Sequence, residues 1–177
     1  AVVETAGRGD GKRYRLPTEA DLAAYRAAEA ALARKVETLR AQWGMEPVPD
    51  EPLPPRGTLS FRIQGYGLDT WGDLFNPRQR LALLVFADAV RRAHQAMLAE
   101  GHAADFARAV TTYLALCFDR LISSYNSLCR WQPAGEKIAD VFSRHALPMV
   151  WDFAETNPLG SASRSWNELF TDTINAL

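Results

Sequence analysis

Hydrophobic positions recur at helical spacing in several long stretches of the chain. Residues 17–44 place apolar side chains on one stripe, within a background of Ala, Glu and Arg, which are strong helix formers. The stripe consists of Leu22, Tyr25, Leu32, Val36 and Leu39. Thr18 followed by Asp21 is typical of a capping box, and Gly44 is suited to end the helix. The pattern predicts a long helical arm that lies on a surface.

Two further stretches predict helices of a core. Asn76, Pro77 and Gln79 form a favourable helix start, and Gly101 breaks the helix that follows. Another helix is expected from about Ala103 to Asn126. Its apolar stripes consist of Phe106, Val110, Tyr113, Leu114, Cys117 and Leu121, and of Leu116, Phe118 and Ile122. Since most of its sides are apolar, we expect this helix at the centre of the core.

The last third of the chain predicts two more helices. A fourth helix is expected from Glu136 to about Val150, with a kink or an early end at Pro148, because proline disrupts a helix interior. A fifth begins near Ser163 or Ser165, either of which is suited to cap it.

Extended segments interrupt this helical pattern. Residues 1–17 alternate around a Gly-rich turn and predict a β-hairpin, and residues 58–67 alternate like a strand or an extended arm. Five prolines within residues 45–57 predict a stiff, extended connector.

Together these elements predict a mainly α fold with a helical bundle-like core, a short N-terminal β-hairpin, a long helical arm and a short extended segment. The expected division is a hairpin and helical arm over residues 1–46, a proline-rich linker over residues 47–57 and a helical core region over residues 58–177. A chain of 177 residues is long enough for one sizeable core.

Charge restricts the classes of partner. The net charge of −1 argues against a nucleic-acid binder that uses its whole surface, so any such contact must come from a local patch. Residues 77–145 hold nine Lys/Arg against six Asp/Glu, and residues 146–177 hold one against four. A difference of this size is more often a solvated surface than a binding site.

Cysteine usage and hydropathy indicate a reducing cytoplasm. Cys117 and Cys129 are not at zinc-ligand spacing, and Cys117 lies in an apolar run that predicts a buried thiol. No apolar run reaches the length of a membrane span, and no signal peptide is evident. The chain starts without Met, so we expect it to be a piece of a longer protein.

The sequence contains no catalytic signature that is readable by itself. A phosphate-binding Gly loop, GxSxG and HExxH are all absent, and the three histidines, His94, His102 and His145, have no nucleophile close in sequence. A hydrolase that uses His145 with Asp152 is the weakest hypothesis, because the two side chains would have to meet in a pocket.

One candidate binding segment covers residues 119–137. Its polar residues recur at three-to-four-residue spacing, which places them on one face of a helix: Asp119, Arg120, Ser123, Asn126 and Arg130. Arg and Asn bind phosphates or base edges, and Tyr125 and Trp131 could stack on an exposed base. The alternative is a surface network of Asp119 with Arg120 and an aromatic plug in the loop.

The second candidate segment covers residues 142–158. Asp152 and Glu155 could act as an acid–base pair or hold a metal, or they could pair with Arg144 and Arg130 and lock helices together. Under the structural alternative, Trp151 and Phe153 are core anchors. Asn157 is then a turn residue.

Several long segments resemble one protein family. YGLDTWGDLFNPRQ (66–79), YLALCFDRL (113–121), YNSLCRWQPAGEK (125–137), FSRHALPMVWDFAETNPL (142–159) and SW (165–166) are similar, in this order, to segments of the large prokaryotic adenine-specific DNA methylases that carry a zinc ribbon. The N-terminal hairpin sequence resembles the segment that follows that ribbon. The resemblance covers nearly the whole chain.

The resemblance implies an internal region without catalytic parts. In the family, the S-adenosylmethionine motif lies upstream and the Asp-Pro-Pro-Tyr motif for adenine N6 lies downstream, and neither occurs in this sequence. The zinc-ribbon cysteines are also absent. We therefore expect no cofactor in this chain, S-adenosylmethionine in the parent protein, and no methylation by the chain alone.

By analogy of motif order, the region assists DNA target recognition and positions duplex DNA, in restriction or phage defence. Its expected nucleic-acid contacts are Arg120, Asn126, Arg130, Trp131 and Arg144. The residues expected close to the active site, or holding the region against the catalytic domain, are Trp151, Asp152, Glu155 and Asn157. The alternative is a structural and interaction module, which packs on the methyltransferase domain or associates with another subunit through the helix at residues 18–43.

Overall fold

A computed structural model of the protein describes residues 2–5, 11–58, 62–143 and 146–176. The helices in this part of the chain are α1 (Glu19–Trp43), α2 (Pro77–Ala99), α3 (Ala104–Ser124) and α4 (Trp166–Asn175). The strands are β1 (Val2–Thr5), β2 (Lys12–Arg15), β3 (Arg130–Gln132) and β4 (Lys137–Ala139), which form the antiparallel hairpins β1–β2 and β3–β4. These elements confirm the mainly α fold and its N-terminal β-hairpin.

The capping signals of α1 act as predicted. The Thr18 hydroxyl accepts a hydrogen bond from the Asp21 amide, and the Asp21 carboxylate accepts one from the Thr18 amide at 2.7 Å. Arg15 of β2 donates to the same carboxylate at 2.6 Å. The hydrogen bond from Arg15, followed by those from Thr18, holds the pKa of Asp21 well below its usual range. Gly44 ends the helix in the left-handed region, at φ 69°.

The start of α2 is also as predicted. The Gln79 amide donates to the Asn76 side chain at 2.9 Å, and the Asn76 amide donates to the Gln79 side chain at 2.9 Å. Pro77 occupies the first turn, where its missing N–H costs nothing. The helix ends at Ala99, just before Gly101 at φ 86°.

The helices pack in chain order, α1 on α2, α2 on α3 and α3 on α4. Lys35 of α1 forms an ion pair with Asp88 of α2 at 2.8 Å. The guanidinium of Arg91 lies 4.4 Å from the ring centroid of Trp43, a cation–π contact. The predicted arm therefore lies against a helix of its own chain.

Two hydrophobic clusters form the interior. The helical cluster contains the buried residues Leu83, Leu121, Tyr125 and Leu169. The second, irregular cluster is built from loops and short 3-10 helices and contains Leu53, Ile63, Leu74, Leu128, Val141 and Leu147. Phe75 packs against both clusters and so joins them.

The helix α3 is amphipathic, which corrects the expectation that it is central. Cys117 and Leu121 are buried, as predicted for one of its stripes. Phe106, Tyr113 and Leu116 are instead 52%, 40% and 50% exposed. The reason is that α2 and α4 cover only one side of the helix.

The predicted fourth helix, from Glu136 to about Val150, is wrong. Glu136 has a left-handed φ of 44° in the turn between β3 and β4. Ile138 is buried on β4, where it pairs with Trp131. Val141 and Leu147 bury themselves in the irregular cluster, and this tertiary burial outweighs the local helical pattern.

The extended segment predicted for residues 58–67 is also incorrect where it can be compared. Residues 59–61 lie outside the described chain, and Ile63–Tyr66 form a short 3-10 helix. The proline-rich linker before it is docked rather than free. The Leu53 amide donates to the Asp69 carbonyl at 2.8 Å, and the Gly72 amide donates to the Pro49 carbonyl at 2.9 Å.

None of the helices in the described ranges combines the length and the apolar character that crossing a membrane requires.

Among the leucines of α3, the buried Leu121 should contribute most to the stability of the protein. We predict that Leu121→Ala lowers the free energy of unfolding by about 2–5 kcal/mol, since it leaves a cavity in the helical cluster. Leu116→Ala is the matched control on the exposed side and should cost less than about 1 kcal/mol. Urea unfolding followed by circular dichroism measures both, and equal losses would contradict the assigned orientation of α3.

Candidate functional site

The Glu155 carboxylate, which lies at the N-terminus of α2, is hydrogen-bonded to residues from two distant parts of the sequence. It accepts hydrogen bonds from the side-chain nitrogen of Asn76 at 2.8 Å and from the Arg78 guanidinium at 2.7 Å. The Tyr125 hydroxyl donates to it at 3.4 Å. The Glu155 side chain is 12% exposed. A carboxylate is favoured there because a helix N-terminus carries partial positive charge.

Two tyrosines contact this ion pair. The Arg78 guanidinium lies 5.5 Å from the ring centroid of Tyr25 on α1. Burial, followed by the nearby charge of Glu155, raises the pKa of Tyr125. The Tyr125 hydroxyl therefore stays protonated and remains a hydrogen-bond donor to Glu155 at neutral pH.

Gln79 extends the network into the interior. Its side-chain oxygen accepts hydrogen bonds from the Asn76 backbone N–H and from the Ser127 hydroxyl, the latter at 3.1 Å. The side chain is fully buried, and its amide nitrogen has no acceptor among the described residues. The network thus connects the start of α2 with the chain after α3.

The network brings together segments that are far apart in sequence. Asn76 and Arg78 come from residues 66–79, Tyr125 comes from residues 125–137, and Glu155 comes from residues 142–159. These are three of the segments on which the predicted family resemblance rests. We call their meeting point the joint, because the Glu155 carboxylate accepts hydrogen bonds from both other segments.

Burial and backbone hydrogen bonds fix the chain around Glu155. No cluster of three potential metal ligands occurs among the residues that the structure describes. Burial raises the pKa of the nearby Cys129 thiol to about 11, so this cysteine is not an activated nucleophile. The backbone oxygen of Cys129 accepts a hydrogen bond from the Ala154 amide at 2.8 Å, which fixes the chain beside Glu155.

Two of the predicted DNA-contacting residues are engaged within the protein. Arg120 donates to the Asp172 carboxylate at 3.1 Å and to the Leu169 carbonyl at 3.3 Å, which holds α4 against α3. Asn126 is buried and bonded to the backbone. Its side-chain nitrogen donates to the Ile122 carbonyl at 3.0 Å, and its oxygen accepts from the Leu128 amide at 2.9 Å.

The predicted shared helical face is not formed, because α3 ends at Ser124. Arg130 lies instead on β3, where it pairs with Ala139 of β4. Arg144 and His145 lie outside the described residues, so their predicted roles stay predictions. Asp119 is exposed, and Arg120 pairs with Asp172 rather than with this neighbour.

The β3–β4 hairpin forms an exposed ribbon. The strand register places Arg130, Gln132 and Lys137 on its outer side, and all three are exposed. Trp131 and Ile138 lie on the inner side, and the Trp131 ring contacts Tyr14 edge-to-face at a centroid distance of 6.4 Å. The Arg130 and Lys137 side chains make no hydrogen bond or ion pair with any residue of the described ranges.

The remaining predicted residues lie along residues 151–157. Trp151 and Asp152 are exposed, and the suggestion that Trp151 is a core anchor is wrong. The Asn157 side chain accepts a hydrogen bond from the Leu159 amide at 3.0 Å, as expected for a turn residue. Glu155 pairs with Arg78, which differs from the pairing suggested with Arg144 and Arg130.

Sequence reasoning missed the partners of Glu155. Asn76 and Arg78 are recognisable as part of a helix start, but that signal is local and does not specify a carboxylate that follows 79 residues after Asn76. For Tyr125 the sequence suggests only stacking on a base. Residue identity alone does not show which polar groups meet across the fold.

Comparison of the chain with protein-family models, with curated proteins and with solved structures found no match.

The buried carboxylate should be essential to the joint. We predict that Glu155→Gln lowers the free energy of unfolding by about 1–3 kcal/mol, because Arg78 loses its counter-charge and a charge-assisted hydrogen bond. Asp152→Asn, three residues earlier and exposed, is the matched control and should change it by less than about 0.5 kcal/mol. Thermal and urea unfolding measure both, and a Glu155→Gln variant as stable as the control would refute the assignment.

Proposed function

We propose that this chain is a non-catalytic helical region of an adenine-specific DNA methyltransferase, and that it contacts duplex DNA through the β3–β4 ribbon. The observation that carries the proposal is the outer side of the ribbon. It presents Arg130, Gln132 and Lys137 to solvent, and neither cation forms an ion pair within the described chain.

The shape and chemistry of the ribbon suit DNA. The major groove, about 12 Å wide, admits a two-stranded β-ribbon. Arg and Lys side chains bind phosphates, and Arg and Gln also bind base edges. A local basic ribbon is compatible with the net charge of −1, since it needs no excess of positive charge over the whole surface.

The internally bonded residues have a positioning role in this proposal. Asn126 orders the turn that leads into β3, and the Ala154–Cys129 hydrogen bond ties the residue before Arg130 to the Glu155 segment. Arg120 secures α4, and Arg144 is retained as a further DNA contact. In the parent protein, other parts of the chain bind S-adenosylmethionine and carry the catalytic motif.

A cytoplasmic location belongs to the same proposal. Cys117 and Cys129 are both free and buried, which fits a protein that works in a reducing compartment.

The proposal predicts salt-sensitive DNA binding that depends on the ribbon. Anisotropy of a labelled duplex should show binding at low salt, weakened roughly three- to tenfold by Arg130→Gln or Lys137→Gln, and each change should lower the salt slope by about one. Arg34→Gln on α1 is the control, because it removes the same charge from an exposed site. Ribbon variants that bind like the control would refute the ribbon as the DNA contact.

A second candidate function is a structural and interaction module. The observation that favours it is the exposed apolar side of α3, formed by Phe106, Tyr113 and Leu116. Contiguous apolar surface often marks a protein interface. The partner would be the methyltransferase domain or a second subunit. The helix at residues 18–43 was predicted for that role, and its partner within this chain is α2.

The module hypothesis predicts that association depends on α3. Sedimentation velocity over a wide concentration range should show an oligomer that Leu116→Ser weakens at least tenfold, roughly the effect of exposing one buried leucine contact. Leu22→Ser on α1 is the matched control, because Leu22 is similarly exposed. Greater weakening by Leu22→Ser would instead assign the interface to α1, and a monomer throughout would exclude self-association.

A further inference from the structure

Two exposed aromatic rings meet at the surface, outside the ribbon. Trp151 is 75% exposed and Tyr66 is 54% exposed. Their ring centroids are 5.1 Å apart, and their planes make an angle of 81°. The rings therefore form a corner, in which a flat ligand can stack on one ring while its edge meets the other.

The backbone on each side of the corner is anchored by packing and hydrogen bonding. Met149 packs against the irregular cluster on one side of Trp151, and the Ala154 amide is bonded to the Cys129 carbonyl on the other. Tyr66 ends a 3-10 helix in which Ile63 is fully buried. Since anchored backbone presents both rings, little conformational freedom is left to lose when a ligand binds.

An arginine lies beside the corner. The guanidinium of Arg56 is 3.4 Å from the position that a Cβ on Gly65 would occupy, so it rests against the residue before Tyr66. Arg56 is exposed and makes no hydrogen bond or ion pair within the ranges that the structure describes. It is therefore available to an anion next to the aromatic rings.

From this arrangement we infer a site for an unpaired nucleotide, whose base stacks on Trp151 against Tyr66 and whose phosphate binds Arg56. The inference rests on the proposed function, in which the chain binds duplex DNA, and it adds unpaired DNA as a second ligand. A base within a duplex is stacked on both faces by its neighbours, so only an unpaired base can offer a face to Trp151. Stacking on aromatic side chains tolerates any base.

Asp152 places a negative charge next to Trp151 in the sequence. Its carboxylate is exposed, and it repels a phosphate that comes close to it. Asp152→Asn should tighten binding, whereas a corner that binds an apolar side chain of a protein would be indifferent to this change.

The test compares labelled oligothymidylate with a duplex of the same length, by fluorescence anisotropy on the full 177-residue chain. Trp151→Ala and Tyr66→Ala should each weaken single-strand binding about 5- to 150-fold. Arg56→Gln should weaken it less and lower the salt slope by about 0.7. Trp151→Phe should restore most of the affinity, because it keeps a stacking face.

Two controls separate this site from general effects. Phe170→Ala removes an exposed ring from α4, and Arg34→Gln removes an exposed cation from α1, so both should bind like wild type. Circular dichroism checks that every variant folds. We expect all of them to fold, because the substituted side chains are exposed.

The outcomes distinguish the two proposals. Loss of single-strand binding with duplex binding retained supports the nucleotide site. Duplex binding with corner variants that behave like the controls overturns the nucleotide site and leaves the ribbon proposal standing. Absence of binding to both DNAs at low salt overturns both and favours a protein partner for the corner.

Discussion

The ion pair between the Glu155 carboxylate and the start of α2 is the interaction on which the arrangement of this protein depends. Residues 146–165 contain no helix or strand, so their backbone lacks the regular hydrogen bonds that fix such elements. Glu155 supplies a fixed point, because Asn76, Arg78 and Tyr125 all donate to it. The hydrogen bonds to Glu155 therefore fix the position of the irregular cluster relative to the helical cluster.

The polar residues divide into those that build the fold and those that are free to bind. Arg120, Asn126 and Glu155 have their hydrogen-bonding capacity used by other parts of the chain. Breaking such contacts to bind a ligand would cost about as much as the new contact returns. The proposed function therefore assigns DNA recognition to Arg130 and Lys137, whose side chains are exposed.

The ribbon and the aromatic corner share one backbone connection. Arg130 follows Cys129, whose carbonyl accepts the hydrogen bond from Ala154, and Trp151 lies three residues before Ala154. In the proposed function, the ribbon would bind duplex DNA and the corner an unpaired nucleotide. Both surfaces belong to chain segments that the Ala154–Cys129 hydrogen bond joins. This proximity along the backbone gives a physical reason to consider duplex and unpaired DNA together.

Local signals in the sequence determined the helices whose ends are capped by nearby residues. Thr18 with Asp21, Asn76 with Gln79 and the serine before α4 act within one turn, so α1, α2 and α4 were predictable. The candidate site was predictable only as a set of residue types. The β3–β4 ribbon depends on burial of Ile138, and Glu155 finds Asn76 across 79 residues. Such contacts, and the exposure of Trp151, arise from packing between distant segments, which local periodicity does not encode; only the tertiary structure decided them.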